Sequence, residues 1–308
     1  IRHVTPRHEQ GAGFMADGYA RVTGKPGVCF IITGPGMTNI LTAMAQAYAD
    51  SIPMLVISSV NERARLAHGN GYLHELPNQR NLVGNVCAFS HTLMSAEELP
   101  AVLARAFAVF DSERPRPVHI ELPLDVITAP AEHLALRPRT VASRPAPALA
   151  PLREAAARLR NAKKPLLLLG GGCVEAAAEA RALAAALDAP TALTINAKGL
   201  LPADHPLLLG SNQSCVPVRE LAAEADVVLA IGTELGETDY DVVFDGGFAL
   251  DGELIRIDID PQQLMRNYTP SLAIHSDARL AMRVLLAELP GGEASPDSPG
   301  ARRAAAVR

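Results

Sequence analysis

The 308-residue sequence is 48% hydrophobic and 20% charged with a formal net charge of −5, the balance of a globular chain that buries cores. Its isoelectric point near 6.0 excludes a basic surface for nucleic acid or anionic lipid, and no apolar run approaches the roughly 20 residues of a membrane span. The length suits two domains of about 130 to 150 residues each.

Residues 1–5 read as a short strand ended by Pro6, and Ile1 is not an initiator methionine, so the chain is expected to begin inside a domain. Arg7-His8-Glu9-Gln10-Gly11-Ala12 then opens a helix. Ala12, Met15, Ala16, Tyr19 and Ala20 recur at helical spacing, and Gly24 stops them. Glu9 falls in the first turn, where a carboxylate on position alone complements the helix dipole. Residues 28–33 form an apolar strand, Gly34-Pro35-Gly36-Met37-Thr38-Asn39 a tight turn into a second helix, and residues 54–58 another buried strand. Residues 61–85 are polar and read as a long loop, a class that is often functional. Residues 95–110 form an amphipathic helix, with Ser95 as cap or, because of Pro100, a start nearer Leu99. In the strand from residue 118, His119 alternates with apolar neighbours and reads as a satisfied structural histidine.

The ordered segments RHEQGA, ADGYAR-TG-PGV, TGPG-TN and AYADSIP-LVI resemble the pyrimidine-binding domain of thiamine-diphosphate enzymes, nearest to acetolactate synthases and the allied 2-oxo acid decarboxylases. The resemblance implies a cofactor seat made of Glu9, Gly34, Pro35, Gly36 and Asn39. Glu9 matches the glutamate that hydrogen-bonds the aminopyrimidine ring and favours its imino tautomer; with Gly11, Ala12 and apolar helices around it, its carboxyl is expected to be buried and its pKa raised. Leu73-His74-Glu75 stands where the family carries Phe-Gln-Glu, so His74 is a candidate for proton transfer or anion binding beside the substrate; a solvated loop histidine is the alternative.

Residues 131–150 turn to Pro, Ala and Arg and read as a linker. The second half alternates strands (165–169, 191–195, 227–231, 254–259) with helices (152–161, 174–187, 276–289), with Ser276 or Asp277 capping the last. Both halves are therefore expected to be α/β, each a parallel sheet between helical layers: a pyrimidine-binding domain over residues 1–130, N-terminally truncated, and a Rossmann-like central domain over residues 151–290. Gly170-Gly171-Gly172 invites a phosphate-binding reading, but it is not GxGxxG and no acid clearly ends the next strand. Where synthases bind FAD through an arginine-bearing loop, this chain has Gly232-Thr233-Glu234-Leu235-Gly236-Glu237-Thr238-Asp239, whose acidity opposes a diphosphate. Asp239, Asp241 and Asp245 read as a solvated acidic loop, or as a seat for a cationic substrate.

Asp258 and Asp260 read as turn chemistry rather than a metal site, and no metal ligand is assigned. Cys29, Cys87, Cys173 and Cys215 read as buried free thiols of a cytoplasmic protein. Residues 291–308, rich in Gly, Pro and Ala, read as a linker or mobile tail. The family's Gly-Asp-Gly and Asn-Asn motifs, which hold Mg2+ and the diphosphate, are absent from this sequence and would belong to a further domain.

The function this resemblance implies is decarboxylation of a 2-oxo acid: an ylide at the thiazolium carbon attacks the 2-oxo carbon, CO2 leaves, and an enamine remains. Protonation makes an aldehyde; addition to a second 2-oxo acid makes an acetolactate-type carboligase. The segments LHELPNQR and GETDYDVVFDGGF look similar to decarboxylases of 5-guanidino-2-oxopentanoate. A non-catalytic nucleotide-binding or scaffold protein is the reading from a different class. Relatives imply a homodimer or homotetramer.

Overall fold

The computed structural model describes residues 3–134, 142–240 and 247–308. The chain divides into two compact units, Ile1–Ser143 and Arg144–Arg308.

The first unit runs α1 (Glu9–Thr23), β1 (Gly27–Ile31), α2 (Pro35–Ala49), β2 (Met54–Val60), α3 (Gln79–Gly84), β3 (Phe89–Thr92), α4 (Leu99–Ser112), β4 (Val118–Pro123) and α5 (Leu124–Ile127). Its described strands form a parallel sheet ordered β1-β2-β4-β3. Cys29, Ile31, Met54 and Val56 pack on one face against Ala16 of α1 and Met37, Ile40 and Met44 of α2. Leu55, Val118 and Ile120 pack on the other against Val102, Ala106 and Phe110 of α4. Val28 and Phe30 of edge strand β1 stay exposed.

Several expectations change here. His3, Val4 and Thr5 are not in a strand, and Ile1 and Arg2 lie outside the described residues. The loop read over residues 61–85 carries helix α3, whose start is fixed by Asn78: its side chain accepts from the Asn81 N–H at 2.9 Å. Ser95 makes no capping bond; the chain passes through a 3-10 turn, Ala96–Glu98, and α4 begins at Leu99 with Pro100 in its first turn.

The second unit runs α6 (Leu149–Asn161), β5 (Pro165–Leu169), α7 (Ala177–Leu187), β6 (Thr191–Leu193), β7 (Leu208–Gly210), α8 (Val216–Ala223), β8 (Val227–Ile231), α9 (Glu237–Tyr240), β9 (Glu253–Asp258), β10 (Leu272–His275), α10 (Ala278–Glu288) and α11 (Pro299–Ala305). The described strands make a parallel sheet ordered β10-β9-β8-β5-β6-β7, so the winding reverses between β5 and β8. The central run Leu166, Leu167, Leu168 and Leu169 is fully buried, as a strand covered on both faces requires. Alternate leucines face two cores, one lined by α6, α7 and α10 and the other by α8.

The stretch expected to be a linker or tail carries α11, a correction with a clear cause. The Asp188 carboxylate accepts from the Ser298 hydroxyl and, at 2.8 Å, from the Gly300 N–H, while Ala301 and Ala304 are buried in the core. Helix α7 begins at Ala177 rather than at Val174, because Gly171–Cys173 forms a 3-10 turn. Asp277, not Ser276, caps α10, accepting from the Leu280 N–H at 3.0 Å.

Candidate functional site

Parallel strands bring their C-terminal ends to one edge, where ligands of open α/β sheets bind. In the first unit that edge gathers five of the six site residues expected from the sequence, with His74 beside them. Glu9 opens α1, and its Oε2 accepts a hydrogen bond from Asn39 Nδ2 of α2 at 2.9 Å. Its other oxygen faces the turn: a Cβ added to Gly36 would stand 3.5 Å from Glu9 Oε1. The expected raised pKa of Glu9 is corrected. The Asn39 hydrogen bond, followed by that of its own backbone N–H, lowers it below the usual carboxylate range, outweighing desolvation because Glu9 is only half-buried.

Gly34 follows β1 with φ 66°, a left-handed conformation that suits glycine. The space is closed as well: a Cβ there would lie 2.3 Å from the His74 carbonyl oxygen. His74 therefore does reach the turn, with its backbone packed on Gly34 and its side chain exposed. It too has a positive φ, 54°, a strained state for a non-glycine residue that the surrounding structure must enforce. Two groups do so. Asn61 Nδ2 donates to the Leu73 carbonyl at 3.1 Å, and the Glu75 carboxylate accepts the N–H groups of Gly69, Gly71 and Tyr72 at 2.6, 3.1 and 3.2 Å. Those bonds, Gly69 first, lower the Glu75 pKa.

Beneath the turn lies a buried polar network. Gln79 Oε1 accepts from Thr33 Oγ1 at 3.0 Å and from the Gly34 N–H at 2.8 Å. Its Nε2 lies 3.1 Å from each of Ser58 Oγ, the Ser59 carbonyl and Glu121 Oε2. Glu121 also accepts from Thr92 Oγ1 at 2.6 Å, and burial raises its pKa. His119 is bonded at both ring nitrogens, to Ser58 Oγ at 2.8 Å and Ser90 Oγ at 2.7 Å, and burial pushes its pKa down to about 3. It is the satisfied structural histidine expected. Gln79 and Glu121 were missed; the available signal was the period-two pairing of His119 with Glu121 inside an otherwise apolar strand.

At the second unit's corresponding edge the glycine turns are tied to each other, beside open hollows lined by Leu235, Gly236 and Tyr240 and by Val174, Ala197 and Lys198. Gly170 N–H donates to the Ile231 carbonyl at 2.9 Å and Gly172 N–H to the Gly232 carbonyl at 3.0 Å. A Cβ at Gly170 would stand 2.1 Å from the Gly232 oxygen. The three glycines thus serve close packing of two loops, and two of their donors are spent internally. Cys173 is buried, its Sγ donates to the Ile231 carbonyl, and desolvation raises its pKa, opposing a thiolate. Cys215, expected to be buried, is exposed at the start of α8 because it stands outside the core-facing positions. Asp258 and Asp260 cap successive turn N–H groups at 2.9 Å each. Asp239 accepts the Ile195 N–H at 2.9 Å, whereas Asp241 and Asp245, with most of the second half of GETDYDVVFDGGF, lie outside the described residues. Among the described residues no cluster of three His, Cys, Asp or Glu side chains could hold a metal ion, and no helix is long and apolar enough to cross a membrane.

Comparison with known proteins follows the same division. A family model described as thiamine pyrophosphate enzyme, N-terminal TPP binding domain, matches residues 1–82, and one described as thiamine pyrophosphate enzyme, central domain, matches residues 152–285. The sequence is 51% identical to the protein named "Probable 2-ketoarginine decarboxylase AruI" of Pseudomonas aeruginosa, over 100% of this chain and 55% of that protein. It is 36% identical to acetolactate synthase isozyme 1 large subunit of Escherichia coli, over 90% of this chain and 49% of that subunit. The chain spans about half the length of the curated relatives it matches. The crystal structure of benzoylformate decarboxylase from Polynucleobacter necessarius shares the fold, with TM-score 0.81 and 23% identity over 94% of this chain and 54% of that one.

Proposed function

The chain belongs to the thiamine pyrophosphate enzymes, and from that premise we propose that it supplies the aminopyrimidine half of the active site of a 2-oxo acid decarboxylase. The observation that carries this reading is the Glu9 carboxylate, bonded to Asn39 on one oxygen and turned on the other towards Gly36. The residues fit a flat ring: side chains at Gly34 and Gly36 would fill the space, Pro35 is exposed, and Asn39 fixes the carboxylate.

Thiamine diphosphate, when bound, supplies the electron sink for loss of CO2. The chain's own part is to hold and polarise the ring. Glu9 is ionised in the open site; covering it with the heterocycle would remove water and drive its pKa upward, so that its carboxyl would share one proton with the ring nitrogen it meets. His74, exposed and packed through its backbone on the Gly34 turn, is the proposed proton-transfer or anion-binding group. Magnesium and the diphosphate are left, on the family resemblance, to the part of the relatives' length that this chain does not span. FAD is not part of the proposal: the Gly170 to Gly172 turn is bonded to Gly232 and the following loop is acidic.

The substrate we favour is 5-guanidino-2-oxopentanoate, on the 51% identity to the 2-ketoarginine decarboxylase over the whole chain. Free cysteines support a cytoplasmic location, and exposed Phe14, Met15, Tyr19 and Phe30 support a homodimer or homotetramer. The test uses the full-length protein with thiamine diphosphate and magnesium. CO2 release from the guanidino acid without acetolactate is the expected result. Acetolactate from pyruvate would make it a carboligase, and absence of cofactor binding would leave a non-catalytic scaffold.

A further inference from the structure

We propose that Gln79 is a positioning residue of this site, holding the Thr33 and Gly34 backbone turn at the height where Pro35 and Gly36 meet the aminopyrimidine ring. The inference rests on the reading of that turn as the ring's seat. It begins from a full hydrogen-bond inventory. A glutamine side chain has one carbonyl oxygen with two acceptor sites and one amide nitrogen with two protons. Both acceptor sites of Gln79 are used on the turn, by Thr33 Oγ1 and the Gly34 N–H, and the nitrogen faces acceptors on two strands: Ser58 and Ser59 of β2 and Glu121 of β4. The residue is 3% exposed, so water replaces none of these bonds at low cost.

The arrangement joins three places far apart in sequence. The sheet ends give a rigid base, because β2 and β4 are paired in register from Leu55↔Val118 to Val60↔Pro123. Asn78, by capping α3, fixes Gln79 as the first helical residue, so that its side chain enters beneath the turn. Apart from Gln79, the turn is tied to β2 by the Thr33 N–H, which donates to Ser59 Oγ at 3.1 Å. Gly34 has a positive φ, lacks a side chain, and carries α2 directly after it without a side-chain cap. His74 presses on it from one side and Gln79 draws it from the other. Glu9 faces the turn at Gly36 and is bonded to Asn39 of the helix that follows, so a shift of Gly34 would move the backbone relative to the carboxylate that acts with it. Gln79 itself touches the turn rather than the reacting atoms.

The experiment compares the full-length protein with Gln79→Met, which keeps the length and apolar stem but removes both the acceptor and the donor. The expected result is a rise of about tenfold in the half-saturating concentration of thiamine diphosphate, the equivalent of one buried N–H left unpaired. The KM for the 2-oxo acid, measured at saturating cofactor, should change by less than about threefold on the same scale. In the cofactor-free protein, hydrogen exchange of the Gly34 amide should accelerate while amides of β2 keep their protection. Thr33→Val, which removes one of the two bonds to Gln79 Oε1 and leaves the core filled, should shift cofactor half-saturation in the same direction by less, and decides the matter if Gln79→Met does not fold. Unchanged cofactor half-saturation in both folded variants overturns the proposal, as does unchanged Gly34 exchange in Gln79→Met. Failure of the unmodified protein to bind thiamine diphosphate is a different result: it removes the ring seat, and the positioning role with it.

Discussion

The two units share one architecture and finish their sheet edges in opposite ways. In the first, the turn after β1 is held by side chains, Gln79 beneath and the His74 loop beside it, and a carboxylate is left facing the opening. In the second, the turns after β5 and β8 are tied backbone to backbone through Gly170, Gly172 and Gly232. Side-chain anchoring leaves shape and charge for a ligand, whereas glycine-to-glycine contact uses two N–H donors and the space between the two turns. On the proposed reading the cofactor seat lies at the first edge.

The sharpest way to break this contrast is Glu9→Gln. Removing a group that polarises the reacting ring should lower turnover at least about 100-fold with the fold intact; near-normal kcat in the full-length protein would reassign Glu9 to dipole complementation. Gly34→Ala and Gly172→Ala form the next comparison. At Gly34 the new Cβ meets the His74 carbonyl at 2.3 Å with φ 66°, and at Gly172 it meets Gly232 Cα at 2.8 Å. Each should cost about 1–3 kcal/mol of stability, but only Gly34→Ala should weaken thiamine diphosphate binding, as read by titration calorimetry. Equal loss of binding in both would remove the distinction between the edges.

Acid should act on the first unit through its buried network. The unfolded chain protonates His119 near pH 6.5, whereas the folded chain keeps it neutral down to about 3, so its contribution is lost as pH falls below 6.5. Between pH 6.5 and 5 this amounts to at most about 2 kcal/mol. Glu121, with a raised pKa, has the opposite sign: the folded chain holds its proton longer, and falling pH returns part of the loss. Hydrogen exchange of β2 and β4 amides at the two pH values measures the balance, and His119→Gln should flatten it. The smallest effect expected is at the docked C-terminal helix. Asp188→Ala removes its bonds to Ser298 and Gly300 and should loosen α11 by about 1 kcal/mol, visible as faster exchange of α11 amides with β5 unchanged.

Much of this was legible in the sequence because it is local. The helix from Glu9, the Gly34 turn and the apolar strands each announce themselves within a dozen residues. What escaped was short or distant. Strands β3, β7 and β10 have three or four residues, too few for a period to register. Helix α11 is written in Pro, Gly, Ala and Arg, a composition shared with linkers, and the groups that hold it down, Asp188 and the Pro165 carbonyl, come more than 100 residues earlier. Gln79 looked like one more polar loop residue because its partners sit at positions 33, 34, 58, 59 and 121. The sign of the Glu9 shift failed for the same reason: burial was inferred from nearby glycine and alanine, while the decisive donor, Asn39, comes 30 residues later.

The central claim is that Glu9, beside the Gly34 turn, polarises a bound aminopyrimidine ring. It is tested most directly by the rate of proton exchange at the C2 carbon of thiamine diphosphate bound to the full-length protein, followed by NMR after transfer to deuterated solvent. Glu9→Gln should bind the cofactor and exchange that proton at least about 100-fold more slowly than the unmodified protein. An exchange rate unchanged by the substitution, with the cofactor bound, would contradict the account.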